Sequence, residues 1–167
     1  MRILLAIDGS GHSEAAVDAV ARRRDRAETI VRVISVVDSN YATMLPDEGW
    51  DPALYEAIRQ GAQQSARTAV DKARAALQLE RGGRTVTADV VRGSPKQVIL
   101  EEADAFEADL IVVGSHGHGA LGRFLLGSVS QSVVLHAACS VEIVRSRTAR
   151  MSGHGEGGSS LTAETSK

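Results

Sequence analysis

The chain has 167 residues, 43% of them hydrophobic and 3% aromatic, with 19 Lys and Arg against 21 Asp and Glu. That length suits one domain with a real core and is short for two. The net charge of −2 gives no electrostatic case for nucleic acid or an anionic membrane, and the lone Cys139 excludes an intramolecular disulfide framework. No apolar run approaches the ~18 residues of a spanning helix. The opening apolar stretch stops at Asp8, too short for a secretory signal, so a cytoplasmic location is expected.

In chain order, residues 3–7 form an apolar strand closed by Asp8-Gly9-Ser10-Gly11-His12-Ser13. Ser10 or Ser13 caps the helix that follows, with Ala16, Val17, Val20 and Ala21 on one face. Arg22-Arg23-Arg24-Asp25-Arg26 reads as a solvated helix end, because Asp25 and Glu28 dilute the charge and no aromatic interleaves. Residues 29–37 form the second strand. Residues 38–52 break the pattern yet hold Tyr41, Met44, Leu45 and Trp50, suited to a lid, a contact surface or packing over the next helix. The long helix 53–79 sets Leu54, Ile58, Ala62, Ala66, Ala69, Val70, Ala73 and Leu77 on one side, and Gly82-Gly83 stop it.

The strand at 85–91 alternates, as an edge strand does. Ser94 and Gln97 then have capping-box spacing, with Pro95 at the first helical position and Val98, Ile99, Ala103 and Phe106 facing inward. After two further elements, residues 139–145 alternate as a final strand. The expected domain is 1–147, followed by a disordered Gly/Ser-rich tail, 148–167.

The chemistry concentrates in residues 109–130, DLIVVGSHGHGALGRFLLGSVS. A buried strand (Leu110, Ile111, Val112, Val113) gives way to Gly114, Gly117, Gly119, Gly122 and Gly127, and Ser128 is the expected N-cap of a helix carrying Val129, Val133, Val134, His136 and Ala137. Unpaired amides and a positive dipole end make such a helix start a phosphate site, and glycine lets the backbone come close. Residues 117–122 match the dinucleotide fingerprint G-x-G-x-x-G. A P-loop fails, since Arg123 and Phe124 stand where Lys and Ser/Thr are needed.

Strands and helices alternate from end to end, and nearly every strand is uniformly apolar. This predicts an α/β domain, a five-stranded parallel sheet of order 3-2-1-4-5 with helices on both faces. Ligands then bind at the reversal between strands one and four. That inference alone places Asp8 opposite the glycine loop.

The remaining spacing, Gly114-x2-Gly117-x9-Gly127-Ser128, resembles the nucleotide motif of the universal stress protein family in its ATP-binding branch. The resemblance covers residues 1–147 and includes ILLAIDGS, Ser13, the G-S-P helix start at Gly93, DLIVVGSHGHG and GSVSQSVV. It implies a Rossmann-like, adenine nucleotide alpha-hydrolase-like fold. Its implied site is Ala6, Ile7 and Asp8, Val36 for the adenine, Val113, Gly114 and Gly117 beside the ribose and phosphates, and Gly127, Ser128, Val129 and Ser130 as the phosphate cradle. The implied ligand is ATP with Mg²⁺ or Mn²⁺ held through the phosphates. Cys139-Ser140 replaces the family's common Cys-Pro, and the tail is outside its pattern.

The site reads as a binder rather than a hydrolase, and the resemblance implies a regulatory or stress-response role. His116 and His118 could move protons, but no lysine or second carboxylate accompanies them, so hydrolysis should be slow or absent and no catalytic or protein-held metal residue is expected. The rivals are an enzyme using NAD through residues 117–122 and a nucleotide-free interaction module. The fingerprint follows the fourth strand rather than the first, its acidic residue could only be Glu142, and no second domain is present for a substrate. The fifth strand, Ser140–Val144, is an edge with one charge, Glu142. The expected assembly is a homodimer through antiparallel fifth strands, as the resemblance also implies.

Overall fold

A computed structural model describes residues 1–23, 28–39, 51–79, 84–117 and 126–146. The elements run β1 (Arg2–Ile7), α1 (Gly11–Arg22), β2 (Ile30–Val37), α2 (Pro52–Leu79), β3 (Thr85–Arg92), α3 (Pro95–Ala105), β4 (Leu110–Gly114), α4 (Ser128–His136) and β5 (Ser140–Val144). All strand pairs are parallel and the order is β3-β2-β1-β4-β5, as expected. The expected tail 148–167, the apolar residues Tyr41 to Trp50, and His118, Gly119, Gly122, Arg123 and Phe124 lie outside the described residues.

Two cores sandwich the sheet, and strand alternation divides them. Ile3, Leu5 and Ile7 of β1 and Leu110 and Val112 of β4 pack with Val17 and Val20 of α1 and Val70 and Leu77 of α2. Leu4 and Ala6, with Ile111 and Val113, pack on the opposite face with Ile99 and Ala103 of α3 and Val133 of α4. Central strands β1 and β4 have apolar residues on both sides because both sides are covered. Fully buried Ile3, Leu4, Leu5 and Ile111 each contribute about 1.5–3 kcal/mol of hydrophobic stabilisation.

Local structure departs from the sequence expectations at several points. Of the two expected candidates Ser10 caps α1, its Oγ accepting the Ser13 amide at 3.3 Å, whereas other caps differ. The Ser94–Gln97 capping box does not form: Ser94 holds the N-cap position without a side-chain bond, and the Gln97 amide donates to the Ser94 carbonyl instead (3.0 Å). The cap of α4 is Gly127, and Ser128 is its first helical residue. Asp51, which the pattern did not single out, caps α2 by accepting the Ala53 amide at 2.8 Å.

Helix faces also differ. Leu54 and Ile58, expected on the inner stripe of α2, are 51% and 45% exposed. Twenty-eight residues of helix extend ~42 Å, whereas an eight-residue strand spans ~26 Å, so the first turns of α2 overhang the sheet. Val134 and His136 of α4 are exposed, and Phe106 is only half-buried at the α3 C-cap. Arg23 is not part of a solvated end: its guanidinium pairs with Glu142 of β5.

Gly61 lies inside α2, and a Cβ there would meet nothing within 4 Å. Gly61→Ala should therefore raise unfolding stability by about 0.5–1 kcal/mol, since alanine loses less backbone freedom in a helix. Urea denaturation measures it; an unchanged or lower midpoint would contradict a continuous helix at this position.

Candidate functional site

The site forms where β1 and β4 part. After Ile7 the chain turns through Gly9, whose φ of 83° lies in the left-handed region. Asp8 Oδ1 accepts the Ser10 amide at 2.9 Å, and the Ser13 hydroxyl donates to the Ser10 carbonyl at 2.9 Å. These bonds tie the loop to the first turn of α1.

The loop after β4 is built against that turn. A Cβ on Gly114 would fall 2.8 Å from the His12 carbonyl carbon and 3.0 Å from the Ser13 nitrogen, so only glycine lets α1 come this close. A Cβ on Gly117 would lie 2.6 Å from Asp8 Oδ2, and one on Gly127 would lie 3.4 Å from His116 Cα. The Gly127 amide donates to the Ser115 carbonyl (2.9 Å), and the Ser130 hydroxyl to the Gly114 carbonyl (2.7 Å). The start of α4 is thereby fixed to the end of β4. Amides of Ser128, Val129 and Ser130 occupy the first turn, where no intrahelical carbonyl is available to them.

These elements surround a cavity of about 560 Å³. Ala6, Ile7 and Asp8 reach it from β1, Val36 from β2, Val113, Gly114 and Gly117 from β4 and its loop, and Gly127, Ser128, Val129 and Ser130 from α4. Every residue of the sequence-derived site thus borders one space. The volume is that of a small-molecule site. Its wall is apolar along Ala6, Val36, Ile99 and Val113 and polar around Asp8 and the α4 start.

Sequence reasoning missed Ser13, Pro95, Ile99, His116 and Leu126 as wall residues. The capping signal at Ser94 marked where α3 begins, but only the α3 packing face turns Pro95 and Ile99 toward the space. His116 lies half-buried with its ring 5.2 Å from that of His12, at 56°. Its Nδ1 is 3.2 Å from Ser115 Oγ, and Nε2 is shut from solvent with no partner among the described residues.

Burial pushes the Cys139 thiol pKa up, and His136 Nδ1 donates to the Ser132 carbonyl at 2.8 Å. Among the described residues no group of three His, Cys, Asp or Glu could hold a metal, and no helix is long and apolar enough to cross a membrane.

The model of the universal stress protein family matches residues 1–145. The chain belongs to the universal stress protein family. A relative from Thermus aquaticus, "Universal stress protein in QAH/OAS sulfhydrylase 3'region", is 36% identical over 143 residues, 86% of this chain and 97% of its own. The solved structure of hypothetical protein MJ0577 superposes with a TM-score of 0.72 at 26% identity, over 86% of this chain and 94% of that one. Two more distant members share the fold. One, from Arabidopsis thaliana, was solved with AMP bound (TM-score 0.60, 19% identity, 87% and 91% covered). The other was solved in complex with cAMP (TM-score 0.56, 24% identity, 87% and 97% covered).

Two glycines of this family member should respond differently to one methyl group. Gly114→Ala meets the backbone of α1 and should cost about 1–3 kcal/mol in urea denaturation. Gly117→Ala meets only the tip of Asp8 and should stay within roughly 0.5 kcal/mol of the parent. Equal costs would contradict the packing of α1 on Gly114.

Proposed function

We propose that the cavity binds an adenine nucleotide, ATP with Mg²⁺ or Mn²⁺ held through its phosphates. In this role the protein is a cytoplasmic, nucleotide-dependent regulator in stress response that turns ATP over slowly or not at all. The observation that carries the proposal is the start of α4, which opens onto an apolar slot across from Asp8. A base fits between Ala6, Val36 and Val113, and phosphates fit the first-turn amides of Ser128, Val129 and Ser130. A Cβ at Gly114 would strike the α1 backbone and one at Gly117 would meet Asp8 Oδ2, so the two loops come closest at these glycines. The AMP and cAMP complexes of fold neighbours support the ligand class.

No lysine or arginine is among the residues described around the cavity, so backbone dipoles would meet the phosphate charge. The metal would be carried by the triphosphate itself. Nothing in this set resembles the lysine and positioned base of a fast nucleotidase. Nucleotide then acts by favouring one conformation or partner state.

Calorimetric titration should show Mg-ATP binding more tightly than NADH, with Gly117→Val abolishing ATP binding in a folded protein. NADH binding as tightly as Mg-ATP would overturn the ligand choice. Phosphate release should fall below about 1 s⁻¹, the low end of ordinary enzymes.

We further propose a homodimer through β5. The Ser115 amide donates to the Val144 carbonyl at 2.8 Å, so Val144, Glu142 and Ser140 turn their backbone groups toward β4. Those of Val141 and Ile143 point outward from the sheet edge, and Val134 and Leu135 of neighbouring α4 are exposed. Light scattering of the full chain at micromolar concentration should give a dimer. Ile143→Pro removes an outward N–H and should give a monomer or a much weaker dimer.

A further inference from the structure

Glu142 is the one charged residue of β5 and stands at its centre. Val144 packs on the α1/α2 side of the sheet and Val141 and Ile143 on the α3/α4 side, so alternation puts Glu142 on the α1 side. There it meets Arg23, the C-cap residue of α1, with side chains 38% and 31% exposed. Arg23 is itself held in place: the Arg84 guanidinium donates to the carbonyls of Ala21 (3.2 Å) and Arg23.

Two-fold symmetry makes this pair matter. When two β5 strands join antiparallel in one continuous sheet, the axis runs perpendicular to the sheet. Residues set opposite each other then lie on the same face, so their numbers differ by an even amount. The centring that pairs all five residues sets Ser140 against Val144, Val141 against Ile143, and Glu142 against Glu142 of the second copy. The outward groups of Val141 and Ile143 form the hydrogen-bonded pairs. Glu142 therefore falls in the non-hydrogen-bonded pair, where Cα atoms approach to about 4.5 Å and side chains are closest. Two carboxylates at that spacing oppose association.

We infer that Arg23 is the residue that permits a second copy of this chain to dock on β5, by neutralising Glu142 from within each protomer. The inference rests on the β5 dimer proposed above. A lone charge on an edge strand ordinarily protects it from pairing. Here a guanidinium from α1 cancels the protection, and the joined strands carry two carboxylates and two guanidiniums in place of two bare carboxylates. Control of association thus lies on a helix outside the pairing strand.

Sedimentation equilibrium at low salt on the full chain tests it with Arg23→Ala, Glu142→Gln and the double variant, circular dichroism confirming that each is folded. Arg23→Ala should raise the dimer dissociation constant roughly tenfold, a change of about 1.4 kcal/mol. Glu142→Gln in the same chain should restore it, as should salt at about 0.5 M, which screens the carboxylates. Glu142→Gln alone should dimerise at least as well as the parent. A dimeric parent with Arg23→Ala unchanged would overturn the inference and leave the dimer standing. Weakening that Glu142→Gln fails to reverse would assign Arg23 to packing and also overturn it. A monomeric parent would remove the dimer itself, and the inference with it.

Discussion

The close approach of α1 to Gly114 is the contact on which the site depends. Backbone of His12 and Ser13 occupies the space a Cβ would take, so the first turn of α1 sits directly on the end of β4. The loop after β1 and the loop after β4 consequently meet, with Asp8 beside Gly117 and the His12 ring beside that of His116. Ser115 and Gly114 carry the constraint onward, because their carbonyls receive the Gly127 amide and the Ser130 hydroxyl. One glycine thereby fixes three elements around a single cavity. A side chain at that position would separate α1 from β4 and open the site to solvent.

The cavity recruits charge complementarity from the backbone. Its wall includes a carboxylate, Asp8, and no described lysine or arginine, so an anion is favoured only where helix amides converge. Such an arrangement would meet a phosphate with backbone dipoles that are already in place. Several described cations serve the scaffold instead. Arg32 pairs with Glu102 of α3 at 2.7 Å, and Lys72 of α2 with Glu14 of α1 at 2.6 Å. The exposed Lys72–Glu14 pair contributes little to stability, because water screens it. Arg23 and Arg84 differ in that their contacts join α1 to β5 and to the approach of β3.

Much of the fold was legible in the residues themselves. Uniformly apolar strands at 3–7 and 110–113, alternating with amphipathic helices, determine a parallel sheet covered on both faces, and chain handedness then leaves one natural strand order. The reversal in that order and the glycines after β4 together locate the site. Period and strand order are local or topological properties, so they survive without coordinates.

Other features depended on lengths and neighbours that no local pattern carries. Leu54 and Ile58 continue the apolar stripe of α2, yet they are exposed because the helix is longer than the sheet beneath it. Ser128 has the chemistry of a cap, but Gly127 takes that position, its amide donating to the Ser115 carbonyl. Pro95, Ile99 and His116 join the cavity only through the docking of α3 and the meeting of two loops. Glu142 is in sequence the lone charge on an edge strand expected to pair, and only the packing of α1 brings Arg23 to it. The sequence by itself determined the order of the strands and the end of the sheet where the cavity opens. The tertiary structure decided which side chains face that place, because contacts between elements distant in sequence depend on how helices of particular length settle on the sheet.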